Sequence, residues 1–240
     1  MRLLITRPQD DALKLAQQVS AQGHDCVMAP VIYIVARDVV LPSPENIQGL
    51  AFTSANGVRA LSQQLGPNAA DWLRLPAYTV GPQTQQAALA AGFGGAQQAA
   101  GDVESLADLI ASRQPADADM PILHIAGSHL AGNLQALLAA HHVSVEKAIL
   151  YEAVAATAFE APVATALQQA TIDGVVIYSQ RSARIFIDLF NALKAPAGKK
   201  PVAFCLAPAI AQLMQAADFE TRIAAAADEP AMLALLQENA

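Results

Sequence analysis

The sequence predicts an α/β protein built from two similar domains, each a parallel sheet flanked by helices, with a ligand cleft between the domains. Three observations carry this. Near-continuous apolar strands alternate with amphipathic helical stretches, the pattern of parallel sheets covered on both faces. The first half of the chain resembles the second at a nearly constant offset. Four strand-to-helix turns share one format of small and hydroxyl residues.

In chain order, "LLIT" (3–6) is a short apolar strand, followed by the helical "DALKLAQQVSAQG". "CVMAPVIYIV" (26–35) is extended again. "LAFTSANGVRALSQQL" (50–65) reads strand, turn, helix and lies over "VVIYSQRSARIFIDLF" (175–190). "AYTVGPQTQQAALAAGF" (77–93) lies over "VAFCLAPAIAQLMQAADF" (202–219), and "GDVESLADLI" (101–110) over "ADEPAMLALL" (227–236). "LLITRPQDDALKLAQQVSAQG" (3–23) lies over "ILHIAGSHLAGNLQALLAAHH" (122–142). The offset stays near 120–126 residues, far too long for a solenoid, and points to a duplication.

The 240 residues suffice for one large or two small domains, and 54% hydrophobic with 15% charged residues is a globular composition. No apolar run approaches the roughly 18 residues of a membrane span, and "MRLLITRP" lacks the about 7–15-residue apolar stretch of a secretory signal. The expectation is a cytoplasmic, monomeric protein with no membrane partner. A net charge of −7, with no basic stripe interleaved with aromatics, argues against nucleic acid. Cys26 and Cys205 lie in apolar runs, without metal or redox spacing, and are expected as buried strand thiols. No phosphate-binding glycine motif, zinc spacing or G-x-S-x-G elbow is present, so nucleotide binding, a zinc site and hydrolase-type nucleophilic catalysis have no support.

The four turns are "TSANG" (53–57), "VGPQT" (80–84), "IAGSH" (125–129) and "YSQRS" (178–182). Each is expected to expose backbone N–H groups at a helix start, where the helix dipole holds a carboxylate or phosphate without a metal. They nominate Thr53, Ser54, Asn56, Gly81, Gln83, Thr84, Gly127, Ser128, Ser179 and Arg181 as ligand-binding residues. Gly81 and Gly127 are expected to let a ligand approach the backbone. Ser, Thr and Asn also cap helices that bind nothing, so capping alone accounts for any single turn. Arg7, directly after the first strand, is the best-placed cation for an anion, the alternative being a pair with an acidic neighbour such as Asp10. Tyr151 ends the apolar stretch in "EKAILYEAV", where a phenol can line a cleft, donate a proton, or merely pack. His141 and His142 close a helix and are expected to interact with its C-terminal dipole.

Taken in order, "LLITRP", "APVIYI" (29–34), "LAFTSANGVRAL" (50–61), "YTVGPQTQQAALAAGF" (78–93), "LYEA" around Tyr151 and "VVIYSQRSARIF" (175–186) resemble the uroporphyrinogen-III synthase family along the whole chain. The resemblance implies a cofactor-free lyase acting on a linear tetrapyrrole, hydroxymethylbilane. Such an enzyme expels the terminal hydroxyl as water, inverts the last pyrrole ring through a spiro intermediate and closes the macrocycle. It implies two α/β domains joined by a two-stranded connection, with 1–36 and 156–240 forming one and 38–150 the other. Tyr151 matches the family's tyrosine proposed to help the hydroxyl leave, and Thr53, Ser54, Thr84 and Ser179 match hydroxyl positions lining its cleft. The sequence departs from the family pattern twice. A turn that often reads Gly-Pro-x-Thr is here "LAPAI", with Ala207 and Ile210, and the turn after "ILHIAG" lacks a frequent arginine. These departures leave open a non-catalytic relative that binds a tetrapyrrole or another small polyanion.

Overall fold

A computed structural model of the chain describes residues 1–113, 119–128, 132–193 and 198–239, without the side chain of Asn68. Its strands are β1 (Arg2–Ile5), β2 (Asp25–Met28), β3 (Ile32–Ala36), β4 (Gly49–Phe52), β5 (Ala77–Thr79), β6 (Gln97–Gln98), β7 (Ile122–Gly127), β8 (Val145–Ala155), β9 (Gly174–Ile177), β10 (Val202–Cys205) and β11 (Thr221–Ile223). Its helices are α1 (Gln9–Ala21), α2 (Ala55–Leu65), α3 (Pro82–Ala90), α4 (Val103–Arg113), α5 (Leu134–Ala140), α6 (Ala161–Gln168), α7 (Gln180–Asn191), α8 (Pro208–Ala216) and α9 (Glu229–Glu238).

The described chain divides into two compact units, Met1–Tyr33 with Val154–Ala240, and Ile34–Ala153. The first holds the sheet β11-β10-β9-β1-β2, parallel throughout. Its central strand β9 is buried at every residue, because helices cover both faces. One face packs Leu3, Ile5, Val176 and Phe204 against Leu15 and Val19 of α1 and Met232 and Leu236 of α9. Elsewhere in this unit Phe159, Phe186, Phe190 and Phe219 form an aromatic cluster with centroids 5.1–5.9 Å apart. Helix α7 delivers two of these rings because Ala183, Phe186 and Phe190 recur at helical spacing on its buried side.

The second unit is built on the sheet β3-β8-β7-β4-β5-β6, with β8, β7, β4, β5 and β6 parallel. Alternate residues of β4 serve opposite faces. Leu50 and Phe52 pack with Leu61 of α2 and Ala88 of α3, while Ala51 packs with Leu106 and Ile110 of α4 and Leu138 of α5. The chain passes between the units on β3 and β8, which are sheet neighbours. Arg37 N donates to Leu150 O and Ala156 N to Val31 O, so these two strands run antiparallel.

The extended stretch expected over 26–35 is two strands in different sheets. The break falls at Ala29–Val31, around Pro30, which has no N–H for a ladder. Cys205 is buried in β10, and burial pushes its thiol up to about 12. Cys26 is only partly buried in β2, with its Sγ 3.7 Å from Ser20 Oγ. His141 ends α5 and pairs with Asp108 of α4 at 3.5 Å, and His142 takes the left-handed conformation that commonly follows a helix end.

Candidate functional site

Because neighbouring strands are parallel, each sheet gathers the ends of its strands at one carboxyl edge, where ligands of open α/β sheets bind. In the second unit this edge carries Thr53 and Ser54 after β4, Val80 and Gly81 after β5, and Gly127 and Ser128 at the end of β7, beside Tyr151 of β8. In the first it carries Thr6 and Arg7 after β1, Tyr178 and Ser179 after β9, and Leu206 and Ala207 after β10.

The helix starts at these edges are of two kinds, capped and uncapped by a side chain, and each unit has both. Ser54 is the N-cap of α2, its hydroxyl accepting from Asn56 N at 3.2 Å. Ser179 is the N-cap of α7, accepting from Ser182 N at 3.0 Å, with the two hydroxyls 2.9 Å apart. By contrast Gly81 and Ala207 begin α3 and α8 with no side-chain cap, each followed by proline. In α8 the first turn closes on itself, Ile210 N donating to Ala207 O at 3.0 Å, whereas in α3 the N–H groups of Gln83 and Thr84 precede the first intrahelical bond, Gln85 N to Gly81 O. At the second of these starts, Ile210 is 3% exposed and fills core space. Gly81 itself is extended, and a Cβ there would meet only Gly101 Cα at 3.6 Å, so the backbone there does not require glycine.

The other nominated residues divide by burial. Thr84 is buried in the first turn of α3, while Gln83 beside it is exposed. Asn56 accepts from Arg59 Nη1 at 2.6 Å, which holds its amide along α2. Arg181 is half-buried in the first turn of α7. The turn after β7 departs from the format expected of it. Helix α5 starts at Leu134, capped by Asn133 Oδ1 to Ala136 N, so neither Gly127 nor Ser128 is its cap. His129, at the end of "IAGSH", and the rest of the 129–131 segment lie outside the described residues.

Two of the expected roles are corrected. Gly127 does not leave its backbone open to a ligand, because the Tyr151 ring occupies that space. A Cβ on Gly127 would stand 2.6 Å from Tyr151 Cε2 and Cζ. The register between β7 and β8 slips just there, from Ala126 opposite Ile149 to Gly127 opposite Tyr151. The extra residue puts Leu150 and Tyr151 in the same cluster as Phe52 and Ile125, so the irregularity is what aims the ring. Ser128 N donates to Tyr151 O at 3.0 Å and fastens the pair.

Arg7 is not an open cation. Its Nη1 lies 2.8 Å from Glu229 Oε2 at the start of α9, its Nη2 3.1 Å from Asp11 Oδ2, and its guanidinium 4.4 Å over the Tyr178 ring. At 8% exposure its charge is answered by two carboxylates, so it ties β1, α1 and α9 to the edge. Burial pushes the Tyr178 phenol above its usual range against the pull of Arg7, and among the described residues its hydroxyl has no hydrogen-bond partner.

Tyr178, at the carboxyl edge, and His124, inside β7 but bonded to that edge, are residues that sequence reasoning missed. His124 is 3% exposed within β7, and its Nε2 lies 3.3 Å from Thr53 Oγ1. Burial, and secondarily the Lys147 charge, pushes it down to about 4. Its signal in the sequence is one polar residue inside the fully buried run "ILHIAG". Unfolding raises the imidazole back to about 6.5, so below that pH the unfolded chain takes up a proton that the folded one refuses. Stability is therefore expected to be full above about pH 6.5 and to fall by roughly 3 kcal/mol as pH drops toward 4. Urea titrations of the wild type and His124→Gln from pH 7 to 4.5 check this. An equal acid loss in both proteins would mean that His124 is not its source.

A family model described as Uroporphyrinogen-III synthase HemD matches residues 14–237. No curated protein matches the chain by sequence. The fold is similar to the crystal structure of uroporphyrinogen-III synthetase from Helicobacter pylori 26695, at 18% identity and TM-score 0.66, covering 100% of both chains. It is also similar to a mutant uroporphyrinogen III synthase from the extremely thermophilic bacterium Thermus thermophilus, at 14% identity and TM-score 0.54, covering 100% of this chain and 97% of that one. With nearly the whole length matched by the family model, the chain belongs to the uroporphyrinogen-III synthase family, whose members are cofactor-independent cyclising lyases.

Proposed function

We propose that this chain cyclises hydroxymethylbilane with inversion of the terminal pyrrole ring and loss of water, giving uroporphyrinogen III. Family membership supports the reaction, and the seating of Tyr151 on Gly127 at a carboxyl edge supports the assignment of its acid. The substrate's terminal hydroxyl leaves readily because the pyrrole nitrogen pushes electrons toward it. A single phenol then suffices to hydrogen-bond or protonate the departing oxygen, which leaves as water. The protein's larger task is to hold the chain so that closure occurs at the inverted position rather than directly.

The substrate's eight carboxylates suit many neutral donors better than one strong cation. The uncapped N–H groups at the start of α3, with Gly81, Gln83 and Thr84, are donors of that kind. Thr53, Ser54 and Asn56 at the α2 edge, Ser128 beside Tyr151, and Ser179 with Arg181 at the α7 edge complete the binding set we assign. Arg7 is assigned to hold its edge in shape, its charge being already matched. Among the described residues no helix is long and apolar enough to cross a membrane, and the net charge of −7 makes nucleic acid an unfavourable partner. We assign it work as a cytoplasmic monomer on a small-molecule substrate.

Tyr151→Phe is expected to lower kcat about tenfold while the circular dichroism spectrum and KM stay near wild type, since general-acid help here is modest. Stopped-time assays on hydroxymethylbilane measure this. An unchanged kcat would reduce the phenol to a packing residue.

A further inference from the structure

Among the described residues of the second unit, the buried imidazole of His124 has no part in the proposed reaction. The other residues of β7, Ile122, Leu123, Ile125, Ala126 and Gly127, are apolar and buried, as a strand between two parallel neighbours requires. His124 breaks that run at 3% exposure, and burying a polar ring is unfavourable unless it is hydrogen-bonded. Its partner is the Thr53 hydroxyl, 3.3 Å from Nε2. The strand register explains the meeting: Ala51 of β4 lies opposite His124, and Thr53, two residues on, shares the Ala51 face. The bond therefore joins the strand interior to the first residue of a turn assigned to substrate.

A threonine hydroxyl has one proton, and its neighbour decides where that proton points. If His124 accepts it, Thr53 offers only lone pairs to the edge and repels a carboxylate. If His124 donates through Nε2–H, the Thr53 proton is released outward and can be given to one. Resting on the proposed substrate, whose arms are carboxylates, we propose that His124 is a positioning residue: held as the Nε2–H tautomer, it donates to Thr53 Oγ1 and turns the Thr53 hydroxyl into a fixed carboxylate donor. The ring stays neutral throughout the working pH range, since burial and Lys147 both oppose its protonation. A lasting charge next to Thr53 is thereby avoided, and the donor geometry does not vary with pH.

Two measurements on the full chain test this. Long-range 1H–15N spectra of the wild type at pH 7 are expected to show His124 protonated at Nε2 and bare at Nδ1; the opposite tautomer overturns the proposal. In turnover of hydroxymethylbilane, His124→Leu is expected to raise KM about tenfold, the loss of one hydrogen bond to a charged group, with kcat within twofold. His124→Gln, whose amide can donate to Thr53 in the same way, is expected to restore KM to within threefold. In a Thr53→Val background the His124→Leu change is expected to add nothing further. Equal KM penalties with and without Thr53, or an unchanged KM in His124→Leu, overturn the positioning role. If His124→Leu fails to fold, the tautomer and the His124→Gln kinetics still decide. A wild-type chain that does not turn the substrate over would contradict the proposed function instead, and the tautomer would remain a separate result.

Discussion

Gly127→Ala is expected to lower the rate of uroporphyrinogen III formation about tenfold, as much as removing the Tyr151 hydroxyl, and to destabilise the second unit as well. The added Cβ would lie 2.6 Å from two carbons of the Tyr151 ring and 3.0 Å from its oxygen. The glycine backbone is held in the β7 ladder, so the ring has to give way. Tyr151 is 8% exposed and packs with Phe52 and Ile125, leaving it to move outward by about an ångström or more. A displacement of about 1 Å is enough to forfeit what a positioned group contributes, here about tenfold for the phenol. The overpacking also destabilises the unit by about 1–3 kcal/mol. Gly95→Ala is the control, because a Cβ there meets nothing within 4 Å. Steady-state kinetics on both variants check the expectation, and a Gly127→Ala enzyme with wild-type kcat would show that the seat of the ring is irrelevant to the reaction.

Gly174→Ala is expected to give the largest loss of stability, about 3 kcal/mol. Gly174 lies in β9 between β1 and β10, where a Cβ would stand 2.5 Å from Phe204 Cε2 and 2.9 Å from Leu3 Cδ2. Both neighbours are buried in the core of the first unit, so neither can yield into solvent. Alanine restricts the unfolded chain and returns only about 0.4–1 kcal/mol, which the clash outweighs. Urea denaturation followed by far-ultraviolet circular dichroism measures the shift. Pairing Gly174→Ala with Phe204→Leu is expected to recover part of it; a neutral single substitution would contradict the packing described.

The parts of the molecule legible in the sequence are those set by local pattern. β4, β7 and β9 are apolar throughout, His124 apart, because parallel strands between helices have no solvent face, and that is visible residue by residue. Ser54 and Ser179 could be assigned as helix caps because capping needs only the next two or three residues. Long-range contacts were not legible. Arg7 could be paired in advance with a near neighbour, but Glu229, 222 positions along the chain, reaches it only through the docking of α9. The Tyr151 ring on Gly127 depends on a register slip between two strands that no periodicity announces. Likewise His124 reads as an irregularity in a strand until the β4 register brings Thr53 beside it. The turn "IAGSH" is expected at a helix start, but the cap of α5 is Asn133.

This chain is proposed to direct ring closure with inversion, and the product isomer reads that out directly. Hydroxymethylbilane, generated freshly and incubated with the purified protein without any added cofactor, is oxidised and its porphyrin isomers are separated. Uroporphyrin III is expected in large excess over the type I isomer that forms in buffer alone. Type I as the sole product, at the rate seen without protein, would contradict it.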